Sequence, residues 1–175
     1  MKQWLSNLVY VIAEQQIVGN MNKEQREFLE QYLATLTPTE RDAVPEAIAE
    51  YFCADEYNAN ECARLINQGI KRASCSLKAG YDAEQEPLPK VGRLSVVLNW
   101  AQEPVCIIKL KDISICPFNE VTPEFAALEG EGDLTYLWWR NAHMAFFTKY
   151  AASLGVEFNE SSDLVLEHFE KVYPR

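Results

Sequence analysis

Between residues 73 and 116 the sequence runs through ASCSL (73–77), LSVVL (94–98), VCIIKL (105–110) and ISIC (113–116). All four segments are short, and the last three are rich in β-branched residues. The stretches between them are PLPKVG (87–92), NWAQEP (99–104) and the pair Lys111-Asp112, the punctuation expected of turns. Apolar runs this short, bounded this closely, read as strands and not as core helices. A further alternating segment, DLVLEHFEKVYP (163–174), reads as a closing strand.

The flanking sequence has a different period. Residues 2–18 and 22–36 read as helices, the second with Phe28, Leu29, Tyr32, Leu33 and Leu36 at helical spacing. Thr37-Pro38-Thr39-Glu40 is a helix start, with proline near the first helical position. Asn58 to Gly69 reads as a helix with Cys62, Leu65 and Ile66 on one face and Gly69 as its stop. Thr122-Pro123-Glu124 opens another helix. Beyond a loop holding Gly130 and Gly132, Asp133 is placed to cap a helix over 134–153 that Gly155 ends. At 175 residues there is room for one full domain and a small appendage. The expected architecture is α+β: helices first, then a small curved antiparallel sheet or barrel, an inserted helix pair and a last strand.

No run of 18 apolar residues exists, so no membrane span is expected. The N-terminus, MKQWLSNLVYVIAEQQ, lacks the small-residue cleavage pattern of a signal peptide, and a cytoplasmic protein is expected. The five cysteines (53, 62, 75, 106 and 116) include no CxxC and match no zinc spacing, which predicts buried free thiols. His143 and His168 with scattered carboxylates make no metal motif, and neither a metal nor another cofactor is expected.

A net charge of −10 argues against broad binding to nucleic-acid backbones. The charge is uneven: residues 1–63 carry −7, 64–111 carry +4 and 112–175 carry −7. A basic central segment thus lies between two acidic ones. On its own, this reads as fluctuation on solvated surfaces.

Two clusters could carry chemistry. In 69-GIKRASCS-76, Lys71 and Arg72 follow a helix C-terminus, where the dipole and free carbonyls already favour cations. In a regular strand Lys71 and Ser74 would face opposite ways, so a shared site needs a bend between them. In 129-EGEGDLTYLWWRNAHMAFF-147, Tyr136, Arg140 and His143 are neighbours on a helix that carries two apolar stripes. Taken singly, His143 reads as a satisfied core histidine and Arg140 as a partner for Glu129 or Glu131. Repeated acids in a glycine-bracketed loop are harder to assign to packing, because like charges held close repel.

The two clusters and the strand pattern together resemble the ASCH-domain family, a group with a PUA-like β-barrel fold. The matching segments include 58-NANECARLINQGIK-71, Tyr81, 87-PLPKVG-92, 104-PVCIIKL-110 and 117-PFNEVTPEFAALEGEGD-133. They continue through 138-WWRNAHMAFF-147 and 165-VLEHFEKVYP-174. The resemblance implies a PUA-like small antiparallel barrel with flanking helices over 51–175, and 1–50 as a helical N-terminal extension. It also implies a modified nucleoside or RNA as the partner. Some members look like amidohydrolases acting on N4-acetylcytidine, and others have been described as ribonucleases. The amidohydrolase pattern carries over as Lys71, Ser74 and Glu129 for catalysis. Arg72, Tyr81, Arg140 and His143 would then bind or orient substrate. The usual Lys-Thr-x-Thr is here Lys71-Arg72-Ala73-Ser74, which keeps the final hydroxyl and places a charged residue beside the lysine.

Overall fold

The computed structural model describes residues 21–53 and 55–174. The helix expected over 2–18 lies outside the described residues. The chain divides into two compact units. The first is built from residues up to Arg64, Lys90–Leu110 and the segment from Lys171 on. The second comprises Leu65–Pro89 and Lys111–Glu170.

In the first unit, helix α1 (Lys23–Leu33) starts at Asn22, whose side chain accepts from the Gln25 amide while Gln25 reaches back to the Asn22 amide. This reciprocal capping satisfies two of the donors a helix start leaves open. Leu29, Tyr32 and Leu33 recur at helical spacing and pack in one apolar cluster with Leu94, Val96, Leu98 and Ile107. A short helix, α2 (Pro38–Asp42), follows the Thr37 cap. Strand β1 (Ala47–Glu50), which the sequence reading missed, pairs parallel with β3 (Leu94–Leu98). The fully buried β3 then pairs antiparallel with the start of β4 (Pro104–Pro117). The sheet is therefore mixed, where an antiparallel one was expected. Helix α3 (Glu56–Asn67) begins in this unit.

In the second unit, β2 (Ala73–Leu77) pairs antiparallel with β5 (Asp163–Tyr173), Ala73 opposite His168 and Leu77 opposite Leu164. Helix α4 (Lys78–Glu84) was not foreseen. Helices α5 (Pro123–Glu129) and α6 (Tyr136–Ser153) follow. Phe118, Phe125, Trp139, Phe147, Ala151 and Leu164 form the buried cluster on which these elements pack.

The strand order is β1-β3-β4-β5-β2. As paired, the ladder is open, with β1 and β2 at its ends, so the architecture is a five-stranded sheet with flanking helices. Three local expectations are corrected. Lys111-Asp112 is no turn: β4 runs straight through it, because neither residue imposes a left-handed backbone and the Lys111 ammonium finds Glu170 at 2.9 Å. Thr135, not Asp133, caps α6 through the Trp138 amide, while Asp133 accepts from the Thr135 amide and hydroxyl. None of the five cysteines is in a disulfide, but Cys53 is exposed and only Cys62 and Cys106 are buried.

Candidate functional site

The end of α3 positions Lys71. Gly69 takes a left-handed conformation at φ +71°, and the amides of Gly69, Ile70 and Lys71 close onto Ile66 and Leu65 carbonyls. The chain then leaves the helix: the Arg72 amide donates to the Leu128 carbonyl, and the Arg72 carbonyl accepts from the Phe169 amide. Lys71 is thereby held beside the C-terminal end of α5. Its ammonium lies 3.0 Å from Glu129 Oε2 and 2.5 Å from Glu131 Oε1. The Lys71 and Glu129 side chains are each only 2% exposed, and Glu131 keeps 19%.

The Gly-x-Gly loop makes this approach possible. Gly130 has φ +69°, and a β-carbon there would meet Ile70 Cγ2 at 2.9 Å and the Ile70 carbonyl oxygen at 3.0 Å. Gly132 has φ +60°, and a β-carbon there would overlap the Trp138 ring. The acids are thus close together because two glycines let the backbone turn tightly, and Lys71 offsets their repulsion.

Helix α6 completes the surround of Glu129. The Trp139 indole donates to Glu129 Oε1 at 3.0 Å, and His143 Nε2 stands 3.6 Å from Oε2. His143 Nδ1 is 2.8 Å from the Trp139 carbonyl, and the imidazole stacks on the Trp139 ring at 4.4 Å between centroids. Burial alone would push the Glu129 carboxyl up. The Lys71 cation, the His143 contacts and the Trp139 hydrogen bond outweigh it and hold the group well below the usual carboxylate range. Burial would likewise lower His143, but the Glu129 carboxylate and the backbone carbonyl keep it above its ordinary value.

Cys75, which the sequence reading did not single out, belongs to this cluster. Its thiol is pushed well up, first by burial and then by Glu129. Cys75, Glu129 and His143 each bring one donor atom to within 4.8 Å of the others, the spacing a cation would need. Both Glu129 oxygens are already engaged by Lys71 and Trp139.

The remaining residues lie apart from this cluster. Ser74 precedes Cys75 on β2 and pairs opposite Glu167, so strand alternation turns its side chain to the other face. Arg72 is exposed. Tyr81 on α4 puts its hydroxyl 3.2 Å from Ser76 Oγ. Arg140 pairs with Glu160, not with Glu129 or Glu131, and lies over the Phe118 ring at 5.5 Å. The geometry therefore brings Lys71, Glu129 and His143 together, adds Glu131, Trp139 and Cys75, and leaves Ser74, Arg72, Tyr81 and Arg140 outside. Alternation along β2 was the available signal for Cys75. No periodicity in the sequence links Arg140 to Glu160.

A family model described as an ASCH domain matches residues 48–173. The crystal structure of an ASCH domain from Lactobacillus crispatus JV V101 is 48% identical, covering 89% of this chain and 98% of that one, with a TM-score of 0.86. A protein from Enterococcus faecalis V583 is 29% identical over 87% of this chain and 90% of its own, with a TM-score of 0.76. No curated protein matches the sequence. Among the described residues, no helix is long and apolar enough to cross a membrane.

Proposed function

Because this chain belongs to the ASCH-domain family, we propose that it acts on a nucleoside or RNA ligand, as an amidohydrolase of N4-acylated cytidine or a related modified nucleoside. The observation that carries this reading is the buried Lys71–Glu129 pair, which joins two residues of the family's amidohydrolase pattern across 58 positions of sequence. Amide hydrolysis needs positive charge where the carbonyl oxygen becomes an oxyanion, and a group that carries a proton to the leaving amine. The Lys71 ammonium supplies the first and the Glu129–His143 contact the second. Ser74 is the hydroxyl of the family pattern; because attack and oxyanion stabilisation must converge on one carbonyl, its role as nucleophile in this reading requires its side chain to turn to the Lys71 face of β2 when substrate binds. Glu131 and His143 keep partial exposure at 19% and 14%, so substrate enters from their side.

The test is direct. The protein is incubated with N4-acetylcytidine and other N-acylated nucleosides, and the free nucleoside is followed chromatographically. Release that scales with enzyme concentration is expected; no turnover at high enzyme concentration rejects the hydrolase.

The second reading is RNA binding without hydrolysis, or with weak ribonuclease activity. It is favoured by the +4 charge of residues 64–111 and by the exposed Arg72. Binding through this segment would weaken steeply with salt, as phosphate contacts do. Titration of labelled single-stranded and structured RNA at two salt concentrations separates the two readings.

A further inference from the structure

The odd cysteine count and the absence of CxxC hide a pair that the fold creates. Cys53 and Cys62 are nine positions apart, and their sulfurs stand 3.4 Å from each other. Cys53 lies in the loop ahead of α3, is exposed and has a left-handed backbone at φ +71°. Cys62 lies within α3 and is 2% exposed. Asp55 caps the helix, accepting from the Asn58 amide at 3.0 Å and from the Asn58 side chain at 2.8 Å. The Ala59 amide also donates to the Asp55 carbonyl. The loop is thereby tied to the first turn of the helix that carries Cys62. A disulfide needs the sulfurs to close by only about 1.4 Å, within reach of side-chain rotation.

We propose that Cys53 and Cys62 form an oxidation site, in which Cys53 meets a peroxide and Cys62 resolves the product as an intramolecular disulfide. In the first step Cys53 Sγ, as thiolate, attacks a peroxide oxygen. The S–O bond forms, the O–O bond breaks, and Cys53 becomes a sulfenic acid with loss of water. In the second step Cys62 Sγ attacks the Cys53 sulfur. The S–S bond forms, the S–O bond breaks, and the hydroxyl leaves as water with the Cys62 proton. Two thiols and one peroxide thus give one disulfide and two waters. Cys53 is the exposed residue of the two, the one that an oxidant meets first, and the buried Cys62 lies where the resolving thiol must be. This inference is independent of the proposed hydrolysis.

The full chain is treated with a slight excess of hydrogen peroxide, quenched, denatured and alkylated. Trypsin then releases residues 42–64, which contain both cysteines and no internal lysine or arginine. The expected product is this peptide unalkylated and lighter by about 2 Da than its reduced form, restored by a thiol reductant. Three of the five cysteines still take the alkylating reagent. Cys53→Ser removes the 2 Da loss and leaves the exposed loop intact, with unchanged circular dichroism as the check on folding. Accumulation of sulfinic acid on Cys53 without the disulfide overturns the proposal. So does alkylation of Cys53 and Cys62 equal to that of untreated protein, or cross-linking of either to Cys75, Cys106 or Cys116.

Discussion

The ammonium of Lys71 lies 3.0 Å from the carboxylate of Glu129, and neither side chain reaches solvent. A buried pair of this kind contributes little relative to apolar residues of the same shape, but losing one half leaves a charge without compensation. Lys71→Met strands Glu129 and Glu131 together and should cost about 3–5 kcal/mol. Glu129→Gln should cost less, because Glu131 still holds the ammonium at 2.5 Å. The double variant Lys71→Met/Glu129→Gln should recover part of the Lys71→Met loss. Urea unfolding of the four proteins measures the coupling; strict additivity would show that the pair does not act as a unit.

His143 gives the stability a pH dependence whose sign follows from its contacts. Its folded pKa is raised above 6.5, so its contribution is fully present below that value and is lost as pH rises through the folded one. Glu129 is depressed below 4.5, so its contribution is present above that value and is lost as pH falls toward the folded one. The wild type should therefore have a higher urea midpoint at about pH 6 than at about pH 8.5. His143→Gln should flatten that difference. An unchanged slope in the variant would assign the dependence to other groups.

The two glycines of the acidic loop differ in what a methyl group would meet. Both have left-handed backbones, so alanine costs about 1–2 kcal/mol at either position for conformation alone. At Gly132 the obstacle is the half-exposed Trp138 side chain, which can swing away. At Gly130 the obstacles include the Ile70 carbonyl, backbone one residue before Lys71. Gly130→Ala should be the more destabilising and should loosen the Lys71–Glu129 contact. Thermal unfolding of the two variants ranks them, and a larger loss for Gly132→Ala would contradict this reading of the loop.

Elements with a clear period were legible in the sequence. β3 followed from a β-branched run, β5 from alternation and β2 from its short bounded run, and α1, α3 and α6 from apolar spacing within a few residues of their ends. What failed was punctuation. Lys111-Asp112 has the polarity of a turn, but polarity is also what an exposed pair in a long strand shows. α4 and β1 were missed because elements of seven and four residues carry too little period to read. At the site, the juxtaposition of Lys71 with Glu129 came from the family pattern. No local rule brings residues 71 and 129 together; β2, α5 and the glycine loop do so in three dimensions. Cys75 was passed over for Ser74, although alternation on one strand separates their faces.

That adjacency poses two candidates for the attacking atom of the proposed hydrolysis, which substitution separates. Ser74 is the residue of the family pattern, and the Cys75 thiol lies beside Glu129. Burial and the Glu129 charge push the Cys75 thiol well up, so it stays protonated and is a poor nucleophile. Its environment is that of a core sulfur packed beside Ala73 and Leu77. Turnover of N4-acetylcytidine should therefore fall by more than about 100-fold in Ser74→Ala, a loss in the range expected for removing a reacting group. Cys75→Ala should stay within a few-fold of wild type, and Glu129→Gln should behave like Ser74→Ala. In the proposed hydrolysis the loss falls in kcat, because a group that acts on the reacting bond stabilises the transition state more than the bound substrate. The opposite pattern, with Cys75→Ala inactive and Ser74→Ala active, would move the attack to the sulfur and make β2 present its chemistry on the Lys71 face. Iodoacetamide inactivation checks the assignment independently: alkylation at Cys75 should abolish activity only if the thiol attacks or the reagent's bulk fills the site, and Cys75→Ala distinguishes those two causes.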